Sequence, residues 1–250
     1  MRVLLTNDDG IAARGLRALA DGMIAAGHSV SVCAPDRERS GASHSATIGR
    51  PMSAEPVDYP GADQAWQVDG TPADCASLGL WLKREAPVDL VVAGINRGMN
   101  MGGACVYSGT VAAAMEAAMC GSQGLAVSLV LKDWEAEEDY TAAVRLAVKV
   151  AEWAVAHPLP AGVIYNLNVP ERPYDEIRGL VPAKLAPVFL GTPMYERVGE
   201  NLYRYRYNAP QSLPADGDVP LAEAGYATLT RLTWDFRHDA DDSDLAGIGM

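Results

Sequence analysis

Short apolar segments alternate with longer amphipathic ones over the first 170 residues. The apolar runs, which predict strands, occur at residues 1–6, 29–34, 88–93, 125–129 and 163–168. The segments with helical spacing occur at residues 15–26, 71–84, 110–119 and 139–156. In the last of these, one apolar stripe is predicted from Tyr140, Val144, Val148, Ala151 and Val155. Apolar runs without alternation are typical of strands covered on both faces, so we predict an α/β fold with a doubly wound, mostly parallel sheet.

The rhythm of strand and helix breaks after residue 170. Strands are predicted at 178–182 and 202–207, and the second of them alternates tyrosine with arginine. Residues 208–220 are rich in Pro, Asp and Gly, which favour turns. We therefore predict a core domain at 1–170 and a C-terminal extension with a β-hairpin at 171–250. Because the chain itself does not cover the alternating apolar positions, we expect the hairpin to contact another subunit; the alternative is an exposed hairpin.

Composition and charge restrict the possible partners. The 250 residues are 49% hydrophobic and carry a formal net charge of −12, which argues against a nucleic-acid polymer as ligand. An acidic protein can still bind a small phosphate ester if a metal ion supplies positive charge. The four cysteines form no CxxC pair, no signal peptide precedes the first strand, and no apolar run could span a membrane. These features predict a cytoplasmic protein with reduced thiols.

Two adjacent carboxylates follow the first predicted strand, in Asn7-Asp8-Asp9-Gly10. In an open parallel sheet, ligands bind beyond the carboxyl ends of the strands. Neighbouring carboxylates at that edge repel each other, and a divalent cation with its preference for oxygen ligands would compensate them. The alternative is a strand-ending turn without a ligand, because Asn, Asp and Gly all favour turns.

Three further polar segments should reach the same edge of the sheet. They are Arg39-Ser40-Gly41, the loop at 94–102, and Tyr107-Ser108-Gly109-Thr110 at the start of a predicted helix. A Ser-Gly-Thr sequence at a helix N-terminus offers free amides, hydroxyls and the positive end of the helix dipole, which suit a phosphate group. The alternative is ordinary helix capping, for which Ser and Thr are common.

Together with other motifs, these segments closely resemble the SurE (stationary-phase survival protein) nucleotidases. The similarity is carried by Asn7-Asp8-Asp9-Gly10, Ala34-Pro35-Asp36-Arg37, Ser40-Gly41, Ser43-His44-Ser45, Gly70-Thr71-Pro72-Ala73-Asp74-Cys75, the 94–102 loop, Tyr107-Ser108-Gly109-Thr110 and Asn166-Leu167-Asn168-Val169-Pro170. It covers the first 170 residues well and then thins to Gly225-Tyr226 and the strand after it. One departure is Gly103-Ala104-Cys105-Val106, where the family usually has an acidic residue.

The resemblance implies a divalent-metal-dependent phosphatase that hydrolyses nucleoside 5′- and 3′-monophosphates to nucleoside and phosphate. It implies a Rossmann-like core whose C-terminal extension exchanges between subunits, in a homodimer or homotetramer. The implied metal ligands are Asp8, Asp9, Ser40 and Asn96, and the implied substrate contacts are Asn96, Ser108, Gly109 and Thr110. Such an all-oxygen set suits one Mg²⁺ or Mn²⁺ per subunit. Asp8 is also the candidate for orienting or deprotonating the attacking water.

Several other polar and aromatic residues are expected to have no role in the site. His44 is interpreted as a solvated or hydrogen-bonding loop histidine, Trp66 and Trp81 as packing residues, and the acidic segment 133–139 as the solvated approach to a helix.

Two other classes of protein stay open. One is a response-regulator receiver, which also has an acidic pair after its first strand but is about half this size. The other is a nucleotide-binding module without catalysis.

Overall fold

The computed structural model describes residues 1–186, 194–206 and 213–235. In chain order the strands are β1 Arg2–Thr6, β2 Ser29–Pro35, β3 Ala54–Pro56, β4 Gln64–Val68, β5 Leu90–Arg97, β6 Gly124–Val130, β7 Val163–Pro170, β8 Leu180–Pro182, β9 Met194–Gly199, β10 Leu202–Arg206 and β11 Ala227–Thr233. The α-helices are α1 Arg14–Ala25, α2 Pro72–Leu82, α3 Gly109–Met119, α4 Thr141–Ala156 and α5 Asp218–Glu223.

One nine-stranded sheet forms the centre of the described part of the chain, in the order β3-β4-β2-β1-β5-β6-β7-β11-β8. The strands from β4 to β7 in this order are parallel, whereas β3 and β11 are antiparallel to their neighbours β4 and β7. From β1 the chain builds outward to β2 and β4 on one side and to β5, β6 and β7 on the other. The strand order therefore reverses between β1 and β5, where ligands bind in such sheets. The predicted doubly wound, mostly parallel sheet is confirmed.

Helices cover both faces of this sheet. Val3 and Leu5 of β1 belong to a core with residues of α1 and α4, while the intervening Leu4 packs with Cys75 of α2. Helix α3 packs beside α2. Helix α2 begins with the predicted capping box, in which Thr71 and Asp74 satisfy each other's backbone amides and Pro72 takes the first helical position. Among the described residues, no helix is long and apolar enough to cross a membrane.

The buried face of α4 is broader than the predicted stripe. Its buried residues are mostly alanines, namely Ala142, Ala143, Leu146, Ala147, Val150, Ala151 and Ala154. Val144 and Val148 are only partly buried and pack against Gly22 of α1, where an added Cβ would lie 2.2 Å from Val144. All five residues of the predicted stripe lie against the core, with Tyr140 and Ala151 buried and the three valines partly buried.

The C-terminal extension contributes to the main sheet and also forms a separate hairpin. Strand β11 pairs with β7 and β8, whereas β9 and β10 form an antiparallel two-stranded sheet of their own. The hairpin confirms that part of the predicted fold, although Tyr207 and residues 208–212 lie outside the described residues. The division of the chain at residue 170 stays a prediction, since β8 and β11 belong to the same sheet as the core strands.

Candidate active site

The residues that were predicted from the strand ends border one cleft at the reversal point of the sheet. Asp8 and Asp9 follow β1, Asn96 lies near the end of β5, Ser40 lies in the loop after β2, and Ser108 precedes α3. All five line the same cleft, whose volume is about 1260 Å³. The sheet topology places them there because the carboxyl ends of β1, β2 and β5 meet at one edge.

Asp8 is the most enclosed of these groups, with a relative exposure of 3%. The Thr110 hydroxyl donates to Asp8 Oδ1 at 2.5 Å. Burial raises the pKa of Asp8 above its ordinary value, and hydrogen bonds from Thr110 and from the Gly109 amide oppose that increase. Gly109 permits this approach, because an added Cβ would lie 2.8 Å from Asp8 Cβ. The N-terminus of α3 therefore binds the carboxylate of its own chain.

Asp9, like Asp8, has a raised pKa. Its Oδ2 accepts the backbone N–H of Arg97 at 3.2 Å. Burial, and next the charge of Asp8, raise the pKa of Asp9 to about 7. Two carboxyl groups whose pKa values are both raised resist being ionised together, and a cation between them would favour the ionised form of both.

Asn96 directs its side-chain oxygen toward the same point. Its Nδ2 donates to the Gly98 carbonyl at 2.9 Å, while its Oδ1 lies 3.4 Å from the Thr110 hydroxyl that also contacts Asp8. Strand β5 has a register shift between Ala93 and Asn96, opposite β6. Gly94 is required at this shift, because its φ is +138° and an added Cβ would lie 2.3 Å from the Val127 carbonyl oxygen.

Ser40 reaches the cleft but bonds elsewhere. Its hydroxyl donates to Glu38 Oε1 at 2.8 Å, and both residues line the cleft. The loop itself is held close to the aspartate pair, since the Arg39 amide donates to the Asp8 carbonyl at 2.6 Å. To ligate a cation beside Asp8, the Ser40 hydroxyl would have to exchange its bond to Glu38 for the ion.

The predicted phosphate segment divides into two parts. Ser108 lines the cleft, and its Oγ accepts the Val111 amide at 3.0 Å, as a helix cap does. Gly109 and Thr110 do not line the cleft and contact Asp8 instead. The structure thus brings Ser108 to the cleft beside the aspartates and places the next two residues against Asp8. Their roles toward substrate stay predictions.

The donor chemistry of the cleft fits a hard divalent cation. Within the described ranges no group of three or more His, Cys, Asp or Glu side chains could hold a metal ion. A cation at Asp8 and Asp9 would therefore need neutral oxygens to complete its ligands, and Asn96 and Ser40 supply an amide and a hydroxyl at the same cleft. Oxygen-only donors with open positions for water suit Mg²⁺ or Mn²⁺.

Four aromatic residues at the cleft were not predicted from the sequence. Trp134 and Tyr140 lie in the loop between β6 and α4, and Tyr195 and Tyr205 come from the hairpin. Tyrosine alternation marked the hairpin, but nothing local connects it with the aspartates. These contacts depend on how two distant segments fold back over the sheet edge.

The interpretation of residues 133–139 as a solvated segment is correct for Glu137 and wrong for Glu138. The Glu137 side chain is 81% exposed, whereas that of Glu138 is 11% exposed and pairs with Arg97 and Arg14. Arg97 holds the pKa of Glu138 below its ordinary value.

His44 bonds to Glu116 at 2.9 Å and does not line the cleft, in agreement with its interpretation as a hydrogen-bonding loop residue.

An acidic pair with neutral oxygen donors, at the reversal point of a doubly wound sheet and beside a helix N-terminus, is typical of α/β proteins that bind phosphorylated ligands through a divalent cation. The sequence model of one family, described as "Survival protein SurE", matches residues 3–189. The chain belongs to the SurE family. The resemblance drawn from the sequence motifs is thereby confirmed, and the receiver alternative is excluded.

Curated relatives and a solved structure agree with this assignment. Proteins named 5′-nucleotidase SurE are 39% identical in Aeromonas hydrophila subsp. hydrophila, covering 100% of this chain and 97% of the relative, and 36% identical in Nostoc sp., covering 95% and 94%. One from Stenotrophomonas maltophilia is 44% identical over 74% of this chain and 70% of its own. The crystal structure of the SurE protein from Aquifex aeolicus has a TM-score of 0.81 and 29% identity, and the match covers 95% of both chains.

Proposed function

We propose that this protein is a divalent-metal-dependent nucleotidase that hydrolyses nucleoside 5′- and 3′-monophosphates. The family assignment and the relatives' shared name, 5′-nucleotidase, support the enzyme class. The observation that carries the proposal is the adjacent pair of the buried Asp8 and the half-buried Asp9, in which burial and next the charge of Asp8 raise the pKa of Asp9 to about 7. A pair of this kind gains from a cation, and phosphate esters are commonly hydrolysed at such ions.

The proposed ligands of one Mg²⁺ or Mn²⁺ are Asp8, Asp9, Ser40 and Asn96. When bound, the ion would polarise a phosphoryl oxygen and lower the pKa of a water molecule. Asp8 is the proposed group that orients this water or takes its proton. The water oxygen forms the new bond to phosphorus as the ester P–O bond breaks, and the nucleoside leaves with a proton.

The remaining site residues would position the phosphate group of the substrate. Asn96 and Ser108 are the proposed phosphate contacts at the cleft, and Gly109 and Thr110 are proposed to act from the N-terminus of α3. In this arrangement Thr110 has a second task, since its hydroxyl fixes Asp8 Oδ1 at 2.5 Å.

The assembly and location of the protein are also proposals. A homodimer or homotetramer held through the C-terminal extension fits the hairpin, where Val198, Leu202 and Tyr203 are 44%, 61% and 61% exposed. A cytoplasmic location fits the four cysteines, all of which are free. A nucleic-acid polymer is not a proposed ligand, given the net charge of −12.

Phosphate release tests the proposal directly. The full-length protein should release phosphate from 5′-AMP and 3′-AMP in the presence of Mn²⁺ or Mg²⁺, and excess EDTA should abolish this release. Binding of AMP without release of phosphate in either metal would instead indicate the second candidate, a nucleotide-binding module.

A further inference from the structure

One wall of the cleft carries a large aromatic side chain that the proposed chemistry does not use. The Trp134 side chain lines the cleft and is 57% exposed. A tryptophan usually stabilises a fold by burying its large apolar surface, and an indole that is mostly exposed contributes little in this way. Its position is nevertheless defined, because the ring lies over Gly98, where an added Cβ would come within 2.7 Å of it.

Arg97 fixes the indole to the strand end that carries the site. Its guanidinium lies 5.0 Å from the centroid of the Trp134 ring and donates to the Trp134 carbonyl at 2.5 Å. The guanidinium is held in turn by the ion pair with Glu138. The backbone N–H of Arg97 donates to Asp9. A single residue thus connects the exposed ring with the aspartate pair.

The cleft is lined by two chemically different kinds of side chain. The polar ones include Asp8, Asp9, Asn96 and Ser108, which suit a cation and a phosphate group. The others are aromatic and include Trp134, and the whole cleft, with a volume of about 1260 Å³, exceeds what a phosphate and an ion fill. A flat face that remains accessible beside a phosphate site suits a ligand that carries both a phosphate and a planar ring.

We propose that Trp134 is the stacking platform for the base of the nucleotide, and that it favours purines over pyrimidines. This rests on the proposed nucleotidase function and names the part of the cleft that selects the substrate. A purine covers more of an indole than a pyrimidine does, so the same platform holds the larger base more tightly. Trp134 is therefore a specificity-determining residue that contacts the base, away from the reacting phosphorus.

Steady-state kinetics with and without a base on the substrate test this assignment. For the Trp134→Ala variant we expect KM for AMP to rise about tenfold, whereas kcat changes less than about twofold. The preference for AMP over CMP in kcat/KM should fall toward unity. For ribose 5-phosphate, which has no base, the rise in KM should stay below about threefold. Trp134→Phe should recover most of the affinity for AMP, because a phenyl ring can still stack.

The matched control is Trp81→Ala. Trp81 is 58% exposed and stacks with Arg84 at 4.0 Å, so it resembles Trp134 in exposure and in its arginine partner, but it lies on α2 outside the cleft. Its replacement should leave both KM values unchanged. An equal rise in KM for AMP and for ribose 5-phosphate in Trp134→Ala would overturn the proposal, since the ring would then only support the loop.

Binding measurements keep the inference separate from the proposed function. If the wild-type protein releases no phosphate from any substrate, the nucleotidase proposal fails. AMP should still quench tryptophan fluorescence in the wild type more than ribose 5-phosphate does, and Trp134→Phe should lose that quenching. Equal quenching by AMP in the wild type and in Trp134→Phe would contradict the platform.

Discussion

At the residue scale, two neighbouring carboxylates dominate the electrostatics of the cleft. Asp8 is held by Thr110 and the start of α3, and Asp9 by the backbone of β5. Neither contact supplies a full positive charge, so the burial of Asp8 and Asp9 is only partly compensated. The pair therefore makes the stability of the protein sensitive to pH and to cations.

Without a divalent cation, the protein should lose stability as the pH rises from about 5 to about 7. The pKa of Asp9 is raised from 3.8 to about 7, so the folded chain holds this proton more tightly than the unfolded chain does. This contribution is fully present below the unfolded pKa and disappears as the pH rises through the folded one. Melting curves in EDTA across this range should show a smaller slope for Asp9→Asn. Parallel slopes in the two proteins would contradict the raised pKa.

The predictable part of the site consists of residues placed by strand ends. Asp8 and Asp9 follow β1 and Asn96 lies near the end of β5, and parallel topology alone brings such positions together. Trp134 and Glu138 could not be located this way, because their contacts with Arg97 join segments about forty residues apart. The bond of Ser40 to Glu38 was equally unpredictable, since it depends on side-chain rotamers in a long loop.

At the scale of elements, one buried carboxylate joins the C-terminal extension to the loop of the cleft. Asp218, the first residue of α5, has no exposed surface. It accepts the backbone N–H groups of Gly102, Ala186 and Val219 at 2.9–3.0 Å. Since Gly102 begins the turn that leads to α3, this contact fixes the extension against the segment between β5 and α3.

Replacing this carboxylate should destabilise the fold markedly. Asp218→Ala leaves buried amides without an acceptor, and we expect a loss of about 2–4 kcal/mol in the free energy of unfolding. Asp216→Ala is the control, because Asp216 forms an exposed ion pair with Lys184 at 2.8 Å, and its loss should change the free energy of unfolding much less. Urea denaturation measures both values. Equal losses in the two variants would show that Asp218 does not connect the two segments.

Helix starts were easier to predict than helix faces or edge strands. The capping box of α2 is a local signal, and it was found. Strand β9 was not predicted, because Met194–Gly199 has neither an apolar run nor strict alternation and forms a strand only by pairing with β10. Periodicity placed the α4 stripe against the core, but how deeply Val144 and Val148 are buried depends on the position of α1, which the sequence pattern does not contain.

At the scale of the whole molecule, the β9–β10 hairpin is separate from the nine-stranded sheet, and large apolar side chains on it are exposed. Leu202 and Tyr203 are each 61% exposed. If the hairpin packs on another subunit, Leu202→Glu would place an unpaired charge in the buried interface and weaken it. The molar mass measured by light scattering at micromolar concentration should then be lower for this variant than for the wild type. Trp81→Glu, at a comparably exposed position on α2, should leave the mass unchanged. A wild-type protein with the mass of one chain would contradict the proposed assembly.

Asp8 and Asp9 are proposed to hold a divalent cation for catalysis. Thermal melts of wild type and Asp8→Asn, in Mn²⁺ and in EDTA and each paired with phosphate release from AMP, test this proposal most directly. In EDTA, Asp8→Asn should melt at or slightly above the wild-type temperature, because one of two mutually repelling groups is neutral. In Mn²⁺ at a hundredfold excess over Kd, the wild type should gain about 2.7 kcal/mol, while Asp8→Asn loses most of that gain and its turnover. An Asp8→Asn variant that keeps the Mn²⁺-dependent stabilisation and near-normal phosphate release would show that Asp8 does not hold a catalytic cation.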